Sequence, residues 1–128
     1  MRVNLMTTTL ALAIGVFLNV AATTAKAGET AVSCSGPVGF VNTGLDGTPP
    51  RFTIQCAGGS SAGSITYFAY RISTNANLAA MLVNTFQTYV LQSGGGTITI
   101  STDLTDVSGN AWGCSSSNCR VMDYLNTN

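Results

Sequence analysis

Residues 64–101 constrain the fold more than any other stretch, because they predict a strand, a helix and a second strand in direct succession. Residues 63–73 are rich in β-branched and aromatic residues, the composition typical of a strand. Both faces of this segment are largely apolar, so we expect a central strand that is covered on both sides. Residues 97–101 alternate with a period of two, which places Ile98 and Ile100 on the inner face of a later strand.

The helix between these strands is predicted by apolar residues three and four positions apart, followed by a run of glycines. Ser73, Thr74 and Asn75 can each cap its first turn, and Gly94 can end it in the left-handed conformation. Its apolar arc is wide, which leaves two interpretations: the helix is buried within one small domain, or it also packs against a neighbouring subunit. The arc consists of Leu78, Met81, Leu82, Phe86 and Tyr89, with Ala79, Val83 and Val90 beside it.

The first 27 residues predict a signal peptide rather than a part of the fold. Arg2 supplies a positive start, residues 10–20 form a short apolar run, and residues 25–27 (Ala-Lys-Ala) are a small-x-small cleavage signal. The run is too short for a permanent membrane span. We therefore expect cleavage after Ala27, export to the periplasm or the medium, and a single domain over residues 28–128.

Charged residues are sparse in residues 28–128, where five acidic residues face three arginines. This mildly acidic balance disfavours nucleic-acid binding, which requires a clustered basic surface. The predicted helix carries no basic residue, so we expect no insertion into anionic membranes either. Serine, threonine, asparagine and glutamine supply the surface polarity instead, and such side chains exchange hydrogen bonds with hydroxyl-rich ligands.

Four cysteines, an even number in a small exported domain, predict two disulfides. Of the three pairings, we favour Cys34 with Cys56, which would tie two strands, and Cys114 with Cys119, which would close a short loop. A four-cysteine zinc site is the alternative, which an oxidising compartment and the lack of histidine disfavour. We expect no metal and no cofactor.

Further strands on either side of this stretch complete the predicted domain. Residues 31–46 and 51–56 predict the first two strands, with turn residues at 46–50 between them. Residues 119–125 predict the last strand, after a polar loop at residues 102–110. The resulting order, β-β-β-α-β-β, predicts a mainly β domain with one helix, an OB-fold-like five-stranded barrel.

Two segments carry a resemblance to a known family. They are residues 88–100, Thr-Tyr-Val-Leu-Gln-Ser-Gly-Gly-Gly-Thr-Ile-Thr-Ile, and residues 112–119, Trp-Gly-Cys-Ser-Ser-Ser-Asn-Cys. With the predicted export and the barrel-plus-helix order, they resemble the receptor-binding B subunits of pertussis-like and subtilase-type AB5 toxins. The resemblance covers the last half of the chain, whereas the first half, with its Gly/Ser-rich connector, departs from the family.

The resemblance implies a lectin subunit that binds cell-surface glycans, often sialylated ones, and carries a separate catalytic A subunit. It also implies a homo-oligomeric ring, expected as a pentamer, in which the wide apolar arc of the helix packs against neighbours. The helix end of that family contributes a tyrosine near the sugar site, which assigns Tyr89 to glycan binding.

A catalytic site is hard to assemble from these residues. Without histidine, neither a Ser-His-Asp nor a Cys-His arrangement exists. Asp103 and Asp106 are close in sequence, but a polar loop offers nothing to raise a carboxyl pKa, so we expect solvated carboxylates rather than a hydrolytic pair. The same loop lacks the ligand spacing and the closing glutamate of an EF-hand calcium loop. We therefore predict that the protein is not an enzyme.

Trp112, Asn110 and Arg71 are further candidates for glycan binding. Trp112, the only tryptophan, either packs in the core or offers a stacking platform to a sugar ring. Asn110 and the polar residues at 115–118 surround it with amide and hydroxyl groups, which also serve as ordinary turn formers. Arg71 either anchors a ligand carboxylate or pairs with an aspartate of the chain.

The sequence thus predicts an exported, disulfide-bonded, glycan-binding subunit of an AB5-type toxin. Two hypotheses from other classes stand beside it. One is an exported inhibitor that inserts the rigid loop at residues 114–119 into a hydrolase, and the other is an envelope protein without a small ligand. A ring-forming subunit is expected to be oligomeric, whereas an inhibitor is expected to be monomeric or dimeric.

Mass spectrometry of the exported protein tests the cleavage site and the disulfides together. We expect a chain that begins at Gly28 and contains no free thiol, because cleavage follows Ala27 and oxidation pairs all four cysteines. Alkylation before reduction should therefore add no mass. Alkylated cysteines would contradict the disulfides, and a different first residue would contradict the cleavage site.

Overall fold

A computed structural model describes residues 28–45, 47–115 and 117–126, and the predicted signal peptide lies outside these ranges. Within them the chain forms six strands and one α-helix, so the prediction of a mainly β domain with one helix is confirmed. The strands are β1 (Glu29–Ser35), β2 (Pro37–Asn42), β3 (Arg51–Cys56), β4 (Tyr67–Arg71), β5 (Thr97–Asp103) and β6 (Cys119–Asn126); the helix α1 (Ala76–Ser93) lies between β4 and β5.

The six strands form one mixed sheet in the order β1-β5-β6-β4-β3-β2. Neighbouring strands are antiparallel except β4 and β6, which are parallel. Parallel strands require a long crossover connection, and α1, β5 and the loop after β5 provide it. Among the described residues, no helix combines the length and the hydropathy that a membrane span requires.

The sheet has six strands rather than the predicted five, because the first predicted strand is divided at Gly36. This residue adopts a φ of 55°, a conformation that glycine accepts without steric cost. Its N–H donates to Gly96 O at 3.0 Å, just before β5. The predicted strand at residues 31–46 therefore contributes β1, which pairs with β5, and β2, which pairs with β3 and ends at Asn42.

The Gly/Ser-rich connector between β3 and β4 covers the free edge of β1. Ser61 N–H donates to Ser33 O at 2.9 Å, and Ser35 N–H donates to Gly59 O at 3.0 Å. These bonds hold the connector along the strand. β4 begins at Tyr67, later than the strand that the sequence predicts from residue 63.

The helix begins and ends at the predicted signals. Asn75 caps the first turn, its Oδ1 accepting from Leu78 N–H at 3.0 Å, and Gly94 ends the helix with a φ of 65°. Only part of the predicted apolar arc is covered within the chain, since Met81 is 63% exposed. Leu91, which is outside that arc, is 85% exposed. The buried residues of the helix are Ala79, Leu82 and Phe86.

The larger of two buried apolar clusters in the described residues lies between α1 and the inner face of the sheet. At its centre the rings of Phe52 and Phe86 meet edge to face, with centroids 5.7 Å apart. The core also contains the disulfide Cys34–Cys56, and a second disulfide joins Cys114 to Cys119, the pairing favoured from the sequence. Two disulfides in a small domain are typical of an oxidising, extracellular environment.

Gly39 of β2 is the position at which the helix leaves no room for a side chain. A Cβ atom there would lie 2.4 Å from Cε1 of Phe86, well inside van der Waals contact. We expect Gly39→Ala to force the strand and the ring apart and to lower the free energy of unfolding by about 1–3 kcal/mol. Urea denaturation of the oxidised protein measures this loss.

Gly96→Ala is the matched control for this substitution. A Cβ atom at Gly96 would meet the Tyr89 hydroxyl at 3.5 Å and Ser93 O at 4.0 Å, both ordinary contact distances. Its effect should stay within about 0.5 kcal/mol. Equal stabilities of the two variants would contradict the close packing of β2 against Phe86.

Candidate functional site

A pocket of about 270 Å³ lies on the outer face of the sheet, on the side opposite the core. Alternation along β3 separates the two faces: Phe52 and Ile54 enter the core, whereas Arg51 and Thr53 line the pocket. We call the disulfide-closed loop at residues 114–119 the clip, and this cavity the clip pocket. Its described lining residues are Phe40, Arg51, Thr53, Tyr67, Ala69, Gly113, Ser115, Asn118 and Cys119.

Thr53 lies on this face of β3, the strand between β2 and β4. The register of the strands places it opposite Phe40 of β2 and opposite Ala69 of β4. Thr53 is 4% exposed, and its Oγ1 has no hydrogen-bond partner among the described atoms. A buried hydroxyl without a partner costs about 1–3 kcal/mol, and native structures contain few such groups. A ligand group that reaches the floor of the pocket would supply the missing partner.

Arg51 provides positive charge at one side of the pocket. Its Nη1 donates to Trp112 O at 2.9 Å, which fixes the guanidinium beside Gly113. The register places Arg71 of β4 directly opposite, so both side chains lie on the outer face. Like charges on facing positions are unfavourable, and none of the described residues that line the pocket is acidic. This arrangement suits a ligand that carries negative charge.

Backbone hydrogen bonds hold the clip in place over the pocket. Asn118 O accepts from the N–H groups of Thr66 and Tyr67, both at 3.0 Å, which joins the clip to the start of β4. Within the clip, Cys119 N–H donates to Ser115 O at 2.8 Å. The Asn118 and Ser115 walls are therefore supported by the disulfide and by the sheet, and the pocket is formed before any ligand binds.

Trp112 and Asn110 lie near the clip, but neither side chain lines the pocket. Trp112 is 9% exposed and packs against Ala69 and the clip disulfide. It reaches the pocket through its carbonyl oxygen, which accepts from Arg51. Asn110 is exposed on a 3-10 helix, Ser108–Trp112, which replaces part of the predicted polar loop.

The two other predicted residues lie in different places. Arg71 is exposed and stands opposite Arg51 at the side of the pocket. Tyr89 lies on α1 and does not line the pocket; its hydroxyl donates to the backbone oxygen of Thr97 at the start of β5. Glycan contacts by the four predicted residues stay predictions, and none of the four lines the clip pocket. Arg71 and Trp112 are linked to its lining through Arg51, Arg71 by strand register and Trp112 by its carbonyl oxygen.

Sequence reasoning missed Arg51, Thr53 and Tyr67 as residues of this site, although it placed Ser115 and Asn118 among the polar residues beside Trp112. A signal for the two on β3 was present, because period-two alternation with Phe52 and Ile54 inward puts them on the opposite face. No signal in the sequence joined them to Asn118, since that contact depends on the parallel pairing of β4 with β6.

The carboxylates of the polar loop accept hydrogen bonds within turns. Asp103 Oδ1 accepts from Thr105 N–H at 2.8 Å, and Asp106 Oδ1 accepts from Ser108 N–H at 2.8 Å. No cluster of three or more metal-ligating side chains occurs in the part of the chain that the structure describes. On the core side of β4, burial raises the pKa of Tyr70, and the nearby charge of Asp123 raises it further.

Comparison with known proteins identifies no relative. No protein-family model, no curated protein and no solved structure matches the chain. The similarity to toxin B subunits therefore stays a prediction from the sequence.

The Trp112 side chain is buried, so we expect its removal to destabilise the protein. We expect Trp112→Ala to lower the free energy of unfolding by about 3–5 kcal/mol, because it leaves a cavity beside the clip disulfide. Trp112→Phe should lose less, since a smaller ring still fills part of the site. Urea denaturation measures the stability of both variants. An alanine variant as stable as the parent would contradict the buried position and favour the exposed stacking platform.

Proposed function

We propose that the protein is an exported glycan-binding protein and that the sugar binds in the clip pocket. The observation that carries this proposal is that Thr53 lines the pocket and has a buried hydroxyl with no hydrogen-bond partner among the described atoms. Sugars offer closely spaced hydroxyl groups, each able to donate and to accept. A sugar hydroxyl at the pocket floor would therefore form a hydrogen bond with the Thr53 hydroxyl. That bond would also give the sugar hydroxyl a partner in place of the water it loses on binding.

The rest of the pocket lining fits a single terminal sugar residue. The aromatic residues Phe40 and Tyr67 lie on either side of Thr53 and offer apolar surface to a sugar ring. Asn118 and Ser115 add amide and hydroxyl groups. Arg51 adds a positive charge, which suits the acidic, often sialylated glycans that the resemblance to toxin B subunits implies.

The proposal includes closure of the sheet into an OB-like barrel. In support, β1 and β2 lie at opposite ends of the strand order and yet are joined through Gly36 alone. The disulfide Cys34–Cys56 also joins β1 to β3 across that gap. OB folds bind oligosaccharides on the face of their second and third strands, beside the loop before the second strand and the loop before the last. The clip pocket lies on the corresponding strands, β3 and β4, and under the loop before β6.

The proposal also includes export and assembly into a ring that carries a catalytic subunit. The signal sequence and the two disulfides support export. The absence of any charge on α1, with Met81 and Leu91 exposed, supports packing between copies. Light scattering after size exclusion tests the ring: a pentamer agrees with it, and a monomer would favour the hydrolase-inhibitor hypothesis.

Thr53→Val tests the sugar site, because it removes the hydroxyl and keeps the shape of the side chain. We expect affinity for the sugars selected on a glycan array to fall about threefold to tenfold, the effect of one neutral hydrogen bond. The stability of the free protein should be unchanged or higher, because the variant loses a buried group that had no partner. Arg51→Gln should weaken binding of acidic sugars about tenfold to 100-fold.

Thr102→Val is the matched control for Thr53→Val. The Thr102 hydroxyl is also buried, but it donates to Val121 O at 2.7 Å. Its loss should destabilise the protein and leave sugar affinity unchanged. If Thr53→Val and Arg51→Gln both bind the selected sugars as the parent does, the clip pocket is not the glycan site.

A further inference from the structure

The start of β1 lies against a carboxylate of β5. A Cβ atom added at Gly28 would lie 3.0 Å from Asp103 Oδ2. The backbone nitrogen of a residue lies about 2.5 Å from its Cβ position, so the Gly28 nitrogen is within about 5.5 Å of that oxygen. Opposite charges at this separation stabilise one another.

A second acidic group lies beside the same position. The register pairs Glu29 of β1 directly with Asp103, which puts two carboxylates on one face at the end of the ladder. Glu29 Oε1 accepts from the hydroxyl of Ser101, and Asp103 Oδ1 accepts from Thr105 N–H. Oδ2 is the Asp103 oxygen nearer to Gly28.

We propose that cleavage between Ala27 and Gly28 creates an ion pair that locks β1 onto β5. A processing protease hydrolyses this peptide bond with one water molecule, leaving a carboxylate on Ala27 and an amine on Gly28. In the precursor the Gly28 nitrogen is an uncharged amide. In the processed chain it is an α-ammonium at neutral pH, and it pairs with the Asp103 carboxylate.

The α-ammonium of Gly28 lies where it can stabilise β1. β1 is an end strand, and it contributes Val32 and Cys34 to the core. The pair with Asp103 lies at the N-terminal end of β1, where an end strand would otherwise fray. Processing then stabilises the strand that carries one half of the core disulfide. This inference is independent of the clip pocket and of its ligand.

The pH dependence follows from the charges at this end of the sheet. They are Glu29 and Asp103 on the paired strands, Asp106 in the following turn, and Arg120, whose Nε donates to Leu104 O at 2.6 Å. The carboxylate raises the folded-state pKa of the α-amino group above its ordinary range of about 7.7–8.0. As long as Asp103 stays ionised, the stabilisation is complete below that range, and it is lost as pH rises through the folded-state pKa of the amine.

Selective acetylation of the exported protein tests the pair. Residues 28–128 contain no lysine, so the α-amine of Gly28 is the one primary amine of the processed chain. We expect the acetylated protein to unfold about 2–6 °C lower than the free-amine protein at pH 7, and the difference to vanish at pH 10. Asp103→Asn should abolish the effect of acetylation, whereas the matched Asp106→Asn variant should keep it.

Comparing acetylated and free-amine forms of each variant separates two effects of Asp103: its ion pair with the Gly28 amine and its hydrogen bonds in the turn. Loss of the turn alone would destabilise the free and the acetylated proteins equally. A second readout is titration of the Gly28 amine by NMR, in which Asp103→Asn should lower the pKa of the amine. An equal amine pKa in the parent and in Asp103→Asn would overturn the proposal, as would an exported chain that begins at another residue.

Discussion

The buried disulfide between Cys34 and Cys56 is the bond on which the rest of the sheet depends. It joins β1, at one end of the hydrogen-bonded order, to β3, the neighbour of the strand at the other end. No ladder joins those two strands within the described residues, so this bond and the chain through Gly36 hold the two ends of the sheet together. Closing a loop of this length stabilises the fold by roughly 3 kcal/mol. A domain of this size, with a small core, gains much from such a link.

The outer face of the same sheet carries polar and charged groups in unfavourable arrangements, unlike the apolar core. It holds the hydroxyl of Thr53 without a partner and two arginines on facing positions, both of which are unfavourable in the free protein. Departures of this kind from local stability are expected where a protein binds something. The clip supports them, because its disulfide and its bonds to the start of β4 hold the pocket walls in place. The larger apolar core lies on the inner face, and recognition is proposed on the outer one.

Much of the site could be read from the sequence only as a set of separate residues. The alternation in β3 assigns Phe52 to one face and Arg51 to the other, and the paired cysteines define the clip. The side chain of Trp112 illustrates the limit. The residue type and its place in the sequence suit either a core residue or a stacking platform for a sugar ring. Only its packing against Ala69 and the clip shows that it is buried. Tyr89, assigned by resemblance, lies on α1 away from the pocket.

The sequence by itself determined the local elements of this protein: the strand alternation, the Asn75 cap, the Gly94 stop and the disulfide pairing favoured for the clip. These depend on residues close together in the chain, where periodicity and backbone preference act directly. Only the tertiary structure decided that Gly36 divides the first strand, that β4 pairs in parallel with β6, and that Arg51 meets Trp112. Such contacts join residues far apart in the chain, and packing, rather than local preference, selects them.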